Sequence, residues 1–529
     1  MQMDNELTFY SLGGIGDVTK NMYVYETPKD MIIVDCGIGF PDENMPGVDL
    51  VLPDISAVLE KKEKLRGIVV THAHEDHLGA LPYLWPKLNV PIFSTKLTAA
   101  FIEYKLTDNS IKAPIFIKEY REKFTLGDFE MEFVRINHSV PNAANLYLKT
   151  PAGNFYHGSD FKFDLTPLDD KTSDFGRIAT IGEEGVTCLM SDSLRSEKEG
   201  FTLSEKTIEV QLEKEIEKCS GKFIVTAHSS DLYRWQMVVN VAKRNQRKLF
   251  LVGRSVEQAI NIGRKFGYLD IDDHMILDTK AMKNYPPRFV CVLAAGSQGQ
   301  PFSAMSRIAN GEHQHVKIKN GDTVVFSADP IPVNENLVHG CIDSLTKLGA
   351  TVFYSEVDDA LHVSGHAASG EMMLLMALIK PRFLIPIGGT FRHMKRYADL
   401  ALKMGHQKED VLLLETGQKV IFNNKKYTFG KKIELKNILV DGLGIGDIGN
   451  IVLRDRQQMS SDGIVIAILP IETSTGTIFG QPEIISRGFV YMKESDKLIK
   501  EAQDIIRNSL SKNRGRISDW SFLRTNVES

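Results

Sequence analysis

Thr71-His72-Ala73-His74-Glu75-Asp76-His77 places three imidazoles and an ionised carboxylate within the six residues that begin at His72. Nitrogen and carboxylate-oxygen ligands at this density favour zinc or a similar divalent ion. The donors are too many for one tetrahedral site. The segment therefore predicts a two-metal centre, which can clamp a phosphoryl or acyl group while it is cleaved. The alternative is a cluster of surface histidines that binds no metal.

The flanks of this segment indicate where in the fold it lies. Residues 65–70 (LRGIVV) predict a short buried strand, and residues 78–84 (LGALPYL) predict the beginning of a helix. The ligands would then lie on a loop at the carboxyl end of a strand, where open α/β sheets usually place their sites.

The composition is typical of a globular protein with more than one domain. The chain has 529 residues, of which 43% are hydrophobic and 25% charged, and its formal net charge is −5. No apolar run approaches the ~18 residues that a membrane helix needs, and the first residues show no secretory signal. We therefore predict no membrane association. The five cysteines are scattered and odd in number, which argues against a disulfide framework and predicts a cytoplasmic protein. The negative net charge argues against non-specific nucleic-acid binding. A local basic groove with bound cations can still attract a polyanion.

The pattern of strands and helices changes twice along the chain. Residues 1–200 mix strands with helices, including a predicted helix at 50–64, and residues 205–360 alternate strand and helix as in a doubly wound domain. A third segment begins near Asn437 and contains a G-x-G-x-x-G match at 444–449. A dinucleotide site would need a helix after this match, whereas the β-branched run at 451–453 predicts a strand. We therefore interpret the glycines as a linker or hairpin turn.

Two further polar residues follow strand-like runs and suit the same metal centre. His138 follows the run at 131–136, and Asp160 comes shortly after residues 154–156. Either residue alone would more often be an ordinary loop residue. Taken with the opening segment, they predict one metal on His72, His74 and His138 and a second on Asp76 and His77. Asp160 would bridge the two ions and screen their repulsion.

A second histidine cluster, His362-Val363-Ser364-Gly365-His366, precedes a predicted helix near 370. Two imidazoles, a hydroxyl and a glycine at a helix entry predict a phosphate-binding segment; helix capping with incidental histidines is the alternative. Ser230 follows a predicted strand at 222–226. Residues 254–255 follow a predicted strand at 249–252, and residues 296–299 follow one at 289–294, so small and hydroxyl residues recur at three strand ends. Together these strand ends predict a groove for an extended phosphodiester chain.

These motifs, in this order, resemble the ribonuclease J family of the metallo-β-lactamase superfamily, and the resemblance covers nearly the whole chain. The family-specific segments are 296–299 (GSQG), 362–366 (HVSGH) and 440–444 (VDGLG). The resemblance implies an αββα metallo-β-lactamase sandwich from residues 1–205 and 370–436. It also implies an inserted β-CASP α/β domain from 206–369. Residues 437–529 would form a linker and a small C-terminal α+β domain, which we expect to be incomplete.

The resemblance also implies an activity and its partners. The family consists of metal-dependent ribonucleases that act as 5′→3′ exonucleases with a preference for 5′-monophosphate ends, and also as endonucleases. We therefore expect a single-stranded RNA substrate, a role in RNA decay and rRNA processing, and a homodimer or homotetramer. The cofactors would be two divalent ions, most simply zinc, with manganese or magnesium as alternatives. A structural calcium, held by carbonyls of residues 46–48 and by Asp441, is a further expectation.

Position by position, the resemblance assigns roles to the residues already identified. Asp76 would orient the attacking water, and His366 would donate a hydrogen bond or proton to the developing negative charge. Asp192 matches the first β-CASP motif, Ser230 matches a serine near the 5′-phosphate pocket, and 362–366 match the substrate-binding segment. The metal ligands would be His72, His74, Asp76, His77, His138 and Asp160.

The chain departs from the family at Gly388, which stands where a further histidine ligand is expected. The second metal would then keep Asp76, His77 and Asp160, unless His393 reaches it from the following helix. Three protein ligands with water still make a workable catalytic set. The departure leaves an alternative, a catalytically weak RNA-binding partner subunit of a ribonuclease J complex. A small-molecule hydrolase of the superfamily is disfavoured, since it needs no β-CASP groove.

Overall fold

The computed structural model describes residues 5–42, 44–331, 334–423, 425–442, 444–446, 449–472, 477–478, 480–488 and 496–512. The chain divides into two compact units. The first contains Met1–Phe40 and Leu50–Ile438, and the second contains Pro41–Asp49 and Leu439–Ser529. Among the described residues, no helix is both long and apolar enough to cross a membrane.

The first unit contains an eight-stranded sheet, which is built among the described residues from strands near the start of the chain (6–117) and from a hairpin at 420–429. In order, its strands are Lys426–Phe429, Val420–Asn423, Glu6–Gly13, Met22–Glu26, Met31–Val34, Leu65–Val70, Ile92–Ser94 and Ile115–Ile117. Neighbouring strands are antiparallel from Lys426–Phe429 as far as Met31–Val34, and they are parallel from Met31–Val34 to Ile115–Ile117. The strand Leu65–Val70 is buried at every residue but Arg66, as its unbroken apolar run predicts. It ends directly before the His72–His77 loop.

A six-stranded sheet of described residues faces the first one. Its strands, in order, are Phe383–Ile387, Cys188–Asp192, Gly153–Gly158, Ala144–Thr150, Phe129–Arg135 and Lys123–Leu126. Three of these strands run parallel, with Cys188–Asp192 in the middle. Their carboxyl ends therefore meet at one edge, which carries Asp160, Asp192 and Gly388.

Apolar side chains from both sheets form the core of this sandwich, including Phe9, Val34, Leu146, Phe155 and Ile385. A second core lies between the six-stranded sheet and helices on its other face. The helices of this part of the chain are Ser56–Leu59, Glu75–Leu78, Leu81–Leu88, Lys96–Asp108, Phe175–Glu184, Ser369–Ile379 and Phe391–Lys403. The arrangement matches the predicted αββα sandwich.

The chain leaves the sandwich after Asp192 and forms a third sheet before it returns at Ser369. The six described strands of this sheet are all parallel, in the order Ile276–Leu277, Lys248–Val252, Val290–Ala294, Phe223–Thr226, Thr323–Phe326 and Thr351–Phe353. The accompanying helices are Lys206–Lys218, Leu232–Arg244, Arg254–Lys265, Ala304–Ala309 and Glu335–Lys347. The central strands are buried on both faces, which explains their continuous apolar runs. This is the predicted doubly wound insertion.

The second unit is described only in part. Its strands are Ile438–Asp441 paired with Gly444–Ile445, Ile464–Ile468 paired with Glu483–Arg487, and Ile471–Glu472 paired with Thr477–Ile478, all antiparallel. Its helices are Asn450–Asp462 and Asp496–Lys512. These elements fit the predicted α+β class.

Two predictions of local structure are wrong. Residues 50–64 are not one helix, because Pro53 interrupts the segment. The chain forms a strand at Leu50–Leu52, a short helix at Ser56–Leu59 and a 3₁₀ turn at Lys62–Lys64.

The run at 451–453 lies in the helix Asn450–Asp462, not in a strand. The residues that follow the run are mostly polar and favour a helix. Ile451 is 68% exposed, so the β-branched run is not the buried strand that its composition suggested. The glycine match nevertheless lacks the context of a dinucleotide site, since Gly444–Ile445 is the second strand of an antiparallel hairpin.

Candidate metal centre and substrate cleft

The His72–His77 loop turns from strand into helix within a few residues. His74 keeps an extended backbone (φ −79°, ψ 152°) and precedes the helix Glu75–Leu78. Two acidic residues in the first turn of this helix suit the positive end of its dipole. The turn directs the side chains of His72, His74 and His77 to one side, toward Asp160.

One group of ligand atoms consists of His72, His74, His138 and Asp160, whose nitrogen and oxygen atoms all lie within 4.8 Å of one another. His74 Nδ1 is 3.2 Å from His72 Nε2 and 3.1 Å from His138 Nε2. Ligands about 2.0–2.1 Å from a tetrahedral zinc ion are separated by about 3.3 Å. The spacing of these ring nitrogens therefore fits a divalent ion between them.

A second group consists of Asp76, His77 and Asp160. His77 Nε2 lies 3.3 Å from Asp160 Oδ2 and 3.5 Å from Asp76 Oδ2. Asp160 Oδ2 also lies 3.7 Å from both His72 Nε2 and His138 Nε2. One carboxylate oxygen thus faces both groups, as the predicted bridge requires.

Hydrogen bonds behind the imidazoles fix which nitrogen faces the centre. His138 Nδ1 donates to the carbonyl oxygen of Gly365 at 2.7 Å, which leaves Nε2 as the acceptor. His77 Nδ1 lies 2.8 Å from Asp35 Oδ2, and His72 Nδ1 lies 3.0 Å from the Thr71 hydroxyl. Orientation of this kind is typical of metal-binding histidines.

Asp35 is a candidate positioning residue that the sequence analysis missed. It is fully buried, and besides His77 it accepts hydrogen bonds from the backbone and the hydroxyl of Thr71. The available signal was a carboxylate directly after the apolar strand Met31–Val34, at the same sheet edge as the metal loop. Gly37 explains the close contact of the two loops, because a Cβ there would lie 1.5 Å from the carbonyl oxygen of Asp76.

Burial and charge set the protonation of the cluster. Burial holds the pKa of His72 and His74 well below the usual range and lowers the pKa of His138 to about 3. These imidazoles are therefore neutral, which is the form that binds metal. Burial also opposes the charge on His77, but Asp160, Asp76 and Asp35 outweigh it and raise the pKa of His77. Burial raises the pKa of Asp76 to about 6.

A third group consists of Asp160, Asp192 and His366. His366 Nδ1 lies 2.8 Å from Asp192 Oδ2, and its Nε2 lies 3.9 Å from Asp160 Oδ2. Burial disfavours the charged imidazole, but Asp192 and Asp160 outweigh it and raise the pKa of His366 to about 9. Asp192 therefore holds His366 at the rim of the metal groups.

Gly388 adjoins the same place without supplying a ligand. Its φ is +64°, and a Cβ built there would lie 3.5 Å from Asp192 Oδ1 and 3.9 Å from Asp160 Oδ1. His393 does not take its place, because its Nδ1 is bound at the start of its own helix, 3.3 Å from the Thr390 nitrogen. Nor does His393 belong to any ligand group found among the described residues.

A buried ion network supports the 362–366 segment. Lys162 donates to the carbonyl oxygen of Ser364 and to Glu205, and Glu205 also binds Arg234 at 2.9 Å. Gly365 lies so close to His138 that a Cβ there would come within 2.7 Å of the imidazole. The segment predicted to bind substrate is therefore anchored beside a predicted metal ligand.

The structure places the remaining predicted substrate residues in two segments, the turn before helix Leu232–Arg244 and the 362–366 segment. Ser230 is half-buried in the turn before helix Leu232–Arg244, and its carbonyl accepts from the Leu232 nitrogen. Val363 is buried, while His362 is partly exposed, with Nε2 3.4 Å from Asp329 Oδ2. The sequence analysis missed His228, whose pKa is lowered to about 4 by burial and by Arg234.

The oxygens predicted to hold calcium bind a guanidinium. Arg456 donates to Asp441 Oδ2 at 2.6 Å and to the carbonyl oxygens of Gly47 and Pro46 at 3.2 and 3.4 Å. The positive charge at this place thus comes from the chain's own side chain. A structural calcium stays a prediction, and this donor set does not favour it.

Comparisons with known protein families match the chain in four places. The descriptions are "Metallo-beta-lactamase superfamily" at residues 15–150 and "Ribonuclease J, beta-CASP domain" at 220–345. "Zn-dependent metallo-hydrolase RNA specificity domain" matches 354–413, and "Ribonuclease J C-terminal domain" matches 451–529. These matches confirm the predicted fold class.

Similar proteins point to the same family. Ribonuclease J2 of Bacillus subtilis is 37% identical over 97% of this chain and 93% of its own length. Ribonuclease J 1 of Streptococcus pyogenes is 37% identical over 96% of this chain and 90% of its own length. A solved protein of unknown function from Enterococcus faecalis V583 shares the fold, at 15% identity and a TM-score of 0.55, over 79% of this chain and all of its own. The chain belongs to the ribonuclease J family.

Proposed function

We propose that this protein is a metal-dependent ribonuclease that hydrolyses phosphodiester bonds of single-stranded RNA. The observation that carries the proposal is the convergence of three ligand groups on Asp160, beside the anchored 362–366 segment. The names of the related proteins and the matched RNA-specificity domain support RNA as the substrate. We assign the αββα domain to residues 1–205 and 370–436, the β-CASP domain to 206–369, and the C-terminal segment to 437–529.

The cofactors proposed are two divalent ions, with zinc preferred for its nitrogen-rich ligand set. His72, His74 and His138 would hold one ion, Asp76 and His77 the other, and Asp160 both. When bound, the ions supply an activated water and neutralise charge on the phosphate.

The chain's own side chains orient and protonate the reacting groups. Asp76 would orient the water, and its carboxylate is itself positioned by Asn21 Nδ2 at 3.2 Å. His366, oriented by Asp192, faces the Asp160 side and would donate a hydrogen bond or proton to a phosphate oxygen there.

We further propose 5′→3′ exonuclease action with a preference for 5′-monophosphate ends, together with endonuclease action, in cytoplasmic RNA decay and rRNA maturation. Ser230, His362 and Ser364 would recognise the terminal phosphate in a space too small for a triphosphate. Homodimers or homotetramers are the proposed assemblies.

Gly388 favours a second candidate function, a catalytically weak partner subunit. Gly388 stands where the family resemblance leads us to expect a histidine, so the metal on the Asp76–His77 side has three candidate protein ligands, Asp76, His77 and Asp160. Counting metal ions on the purified protein separates the two functions: about two ions per chain support the nuclease, and one or none supports the partner subunit.

Digestion of one labelled RNA with a 5′-monophosphate, triphosphate or hydroxyl end tests the proposal. We expect the monophosphate form to release mononucleotides fastest, and His77→Ala to abolish release because it removes a metal ligand. His339→Ala, at an exposed histidine outside every ligand group, is the matched control. Equal rates on all three ends would refute end recognition, and an active His77→Ala variant would refute the metal assignment.

A further inference from the structure

Asn21 lies against the proposed metal centre, on the side of Asp76 and His77. It is buried, and its backbone is fixed there because its N–H donates to the carbonyl oxygen of Asp76 at 3.0 Å and its own carbonyl accepts from Gly37 at 3.0 Å. The side-chain nitrogen, Nδ2, lies 3.2 Å from Asp76 Oδ2 and 3.1 Å from His77 Nε2. The end of this neutral side chain is therefore beside two candidate ligands of the second ion.

The distances around this amide are those expected of ligands on one ion. His77 Nε2 lies 3.3 Å from Asp160 Oδ2 and 3.5 Å from Asp76 Oδ2, so the amide joins a set of atoms with nearly equal spacing. Neighbouring ligands about 2.1 Å from an ion are separated by about 3.0 Å in an octahedral site and by about 3.3 Å in a tetrahedral one. The terminal amide of Asn21 is therefore within the ligand spacing of this side of the centre.

The amide has a donor end and an acceptor end, and rotation about its Cβ–Cγ bond exchanges them. With Nδ2 toward the centre, the amide donates to the Asp76 carboxylate. With Oδ1 toward the centre, it offers a carbonyl oxygen, which is a ligand that divalent ions accept. A cation attracts the oxygen and repels the N–H protons, so metal binding favours the second orientation.

Tyr23 supports the orientation that places the oxygen toward the ion. Its hydroxyl lies 2.8 Å from Asn21 Oδ1 and 3.1 Å from the carbonyl oxygen of Gly14, but one proton can be donated to only one of them. After the rotation, Nδ2 donates to the Tyr23 oxygen, and the hydroxyl donates to Gly14. The rotation gives up a 3.3 Å contact with the carbonyl oxygen of Val18, which is only partly buried.

Glycine at position 14 makes room for this pair of side chains. A Cβ there would lie 2.2 Å from the Tyr23 hydroxyl and 2.4 Å from Asn21 Oδ1. The Gly14 carbonyl also accepts from the backbone N–H of Gly388 at 2.7 Å. Asn21 and Tyr23 therefore adjoin the position at which the family resemblance leads us to expect a further histidine.

We propose that Asn21 Oδ1 is the fourth protein ligand of the ion on the Asp76–His77 side, and that Tyr23 is its positioning residue. The amide oxygen makes up for the imidazole that the chain lacks at Gly388. The inference deepens the proposed function, because it rests on the two-ion centre proposed there and names a further ligand of it.

The ligand set also predicts which ion binds on this side. Asp76, Asp160 and Asn21 supply oxygens and His77 supplies one nitrogen, whereas the other side has three imidazoles. Carboxylate and carbonyl oxygens suit Mn²⁺ and Mg²⁺, and imidazoles suit Zn²⁺. When the chain already holds one equivalent of zinc at the imidazoles, Mn²⁺ should therefore bind beside Asn21.

Titration of Mn²⁺ into the full chain with one equivalent of zinc tests the proposal, with free Mn²⁺ measured by electron paramagnetic resonance. Asn21→Leu has a similar volume but no oxygen, and it should weaken Mn²⁺ binding about tenfold or more. Asn21→Asp keeps an oxygen at the same place and should bind Mn²⁺ at least as tightly as wild type does. Tyr23→Phe should weaken binding about two- to tenfold, the effect of one lost hydrogen bond.

The same titration with Zn²⁺ separates a ligand from a residue that only positions Asp76. Loss of an oxygen ligand should weaken Mn²⁺ binding more than Zn²⁺ binding, because oxygen ligands suit Mn²⁺ better. Equal weakening of both ions would assign Asn21 a positioning role and overturn the proposal. Asn145→Leu is the matched control and should bind Mn²⁺ as wild type does, since Asn145 is also buried and its Nδ2 contacts the hydroxyl of Tyr156.

Equal Mn²⁺ affinity of wild type and Asn21→Leu, or weaker binding by Asn21→Asp, would also overturn the proposal. Asp76→Ala distinguishes this result from a failure of the metal centre. If Mn²⁺ binding depends on Asp76 but not on Asn21, the two-ion centre is kept and the fourth ligand is lost. If wild type and Asp76→Ala bind Mn²⁺ alike, or neither binds it, both are wrong. A chain that binds Mn²⁺ as expected but cleaves no RNA keeps the ligand and loses the nuclease.

Discussion

At the residue scale, the candidate centre depends on one oxygen atom. Asp160 Oδ2 lies within 3.3 to 3.9 Å of nitrogens on His72, His77, His138 and His366. This arrangement is hard to explain as packing or as ion pairing alone, because burial lowers the pKa of His72 and His138, which are therefore neutral beside the carboxylate. Shared binding of cations explains both the proximity and the burial.

Gly388→His is expected to raise metal occupancy on the Asp76–His77 side. The added Cβ meets Asp192 and Asp160 at ordinary contact distances, and histidine tolerates the positive φ better than most side chains. Metal counting on purified protein measures the effect, and hydrolysis should rise with it. Gly388→Ala carries the same backbone strain without the imidazole, so equal occupancy in the two variants would contradict the prediction.

At the element scale, strand ends and the segments after them carry the chemistry. Asp35 follows Met31–Val34, the histidine loop follows Leu65–Val70, and Asp192 ends its own strand. Parallel pairing brings such ends to one edge, so residues far apart in sequence become neighbours. The Lys162–Glu205–Arg234 network then joins the sandwich to the inserted domain.

Glu205→Gln is expected to lower the free energy of unfolding by about 3–5 kcal/mol, because it leaves two buried cations without their shared anion. Burial opposes the charge on Glu205, but Lys162 and Arg234 lower its pKa from 4.5 to about 2. A depressed pKa stabilises the folded state fully above about pH 4.5, and this contribution is lost as pH falls toward 2.

Thermal melts of wild type and Glu205→Gln across pH 7 to 3 check this prediction. The difference in Tm should be constant at neutral pH and shrink below about 4.5. Asp170→Asn, at a carboxylate that is 87% exposed in its own ion pair, is the control and should leave Tm nearly unchanged. A difference that grows on acidification would disprove the assigned role.

At the scale of the whole molecule, the sandwich and the insertion belong to one compact unit. The candidate metal centre combines residues near strand ends of the sandwich with His366, from the segment by which the chain returns from the insertion. An ion that binds the converging nitrogens of the folded chain, and does not bind the unfolded chain, stabilises the folded state. Metal binding and folding of the first unit are therefore expected to be coupled.

Chelation should lower the Tm of the metal-loaded protein, and zinc should restore it. An ion present at 100 times its Kd stabilises the folded chain by about 2.7 kcal/mol, which the chelator removes. Differential scanning fluorimetry measures the shift. The Asp160→Asn variant, which lacks the shared carboxylate, should respond much less, and an equal response in that variant would show that the stabilising ion binds elsewhere.

Much of the centre was predictable from local sequence. The spacing of His72, His74, Asp76 and His77 carries a metal signature by itself, and His138 and Asp160 followed from their positions after apolar runs. Asp35 and Glu205 were missed because a single carboxylate after a strand, or before a helix, is common in any α/β protein. The β-branched run at 451–453 misled for a related reason, since burial, which the sequence does not display, decides between strand and helix.

The local pattern of residue types therefore indicated divalent-metal binding, most of the order of strands and helices, and the family. Tertiary structure alone decided which strand ends share an edge, and hence that Asp35 orients His77 and that Gly388 leaves a gap beside Asp160. It also placed the Asn21 amide between Asp76 and Tyr23. The physical reason is that hydrogen bonding and sheet pairing act between residues tens to hundreds of positions apart, whereas periodicity and spacing report only on neighbours.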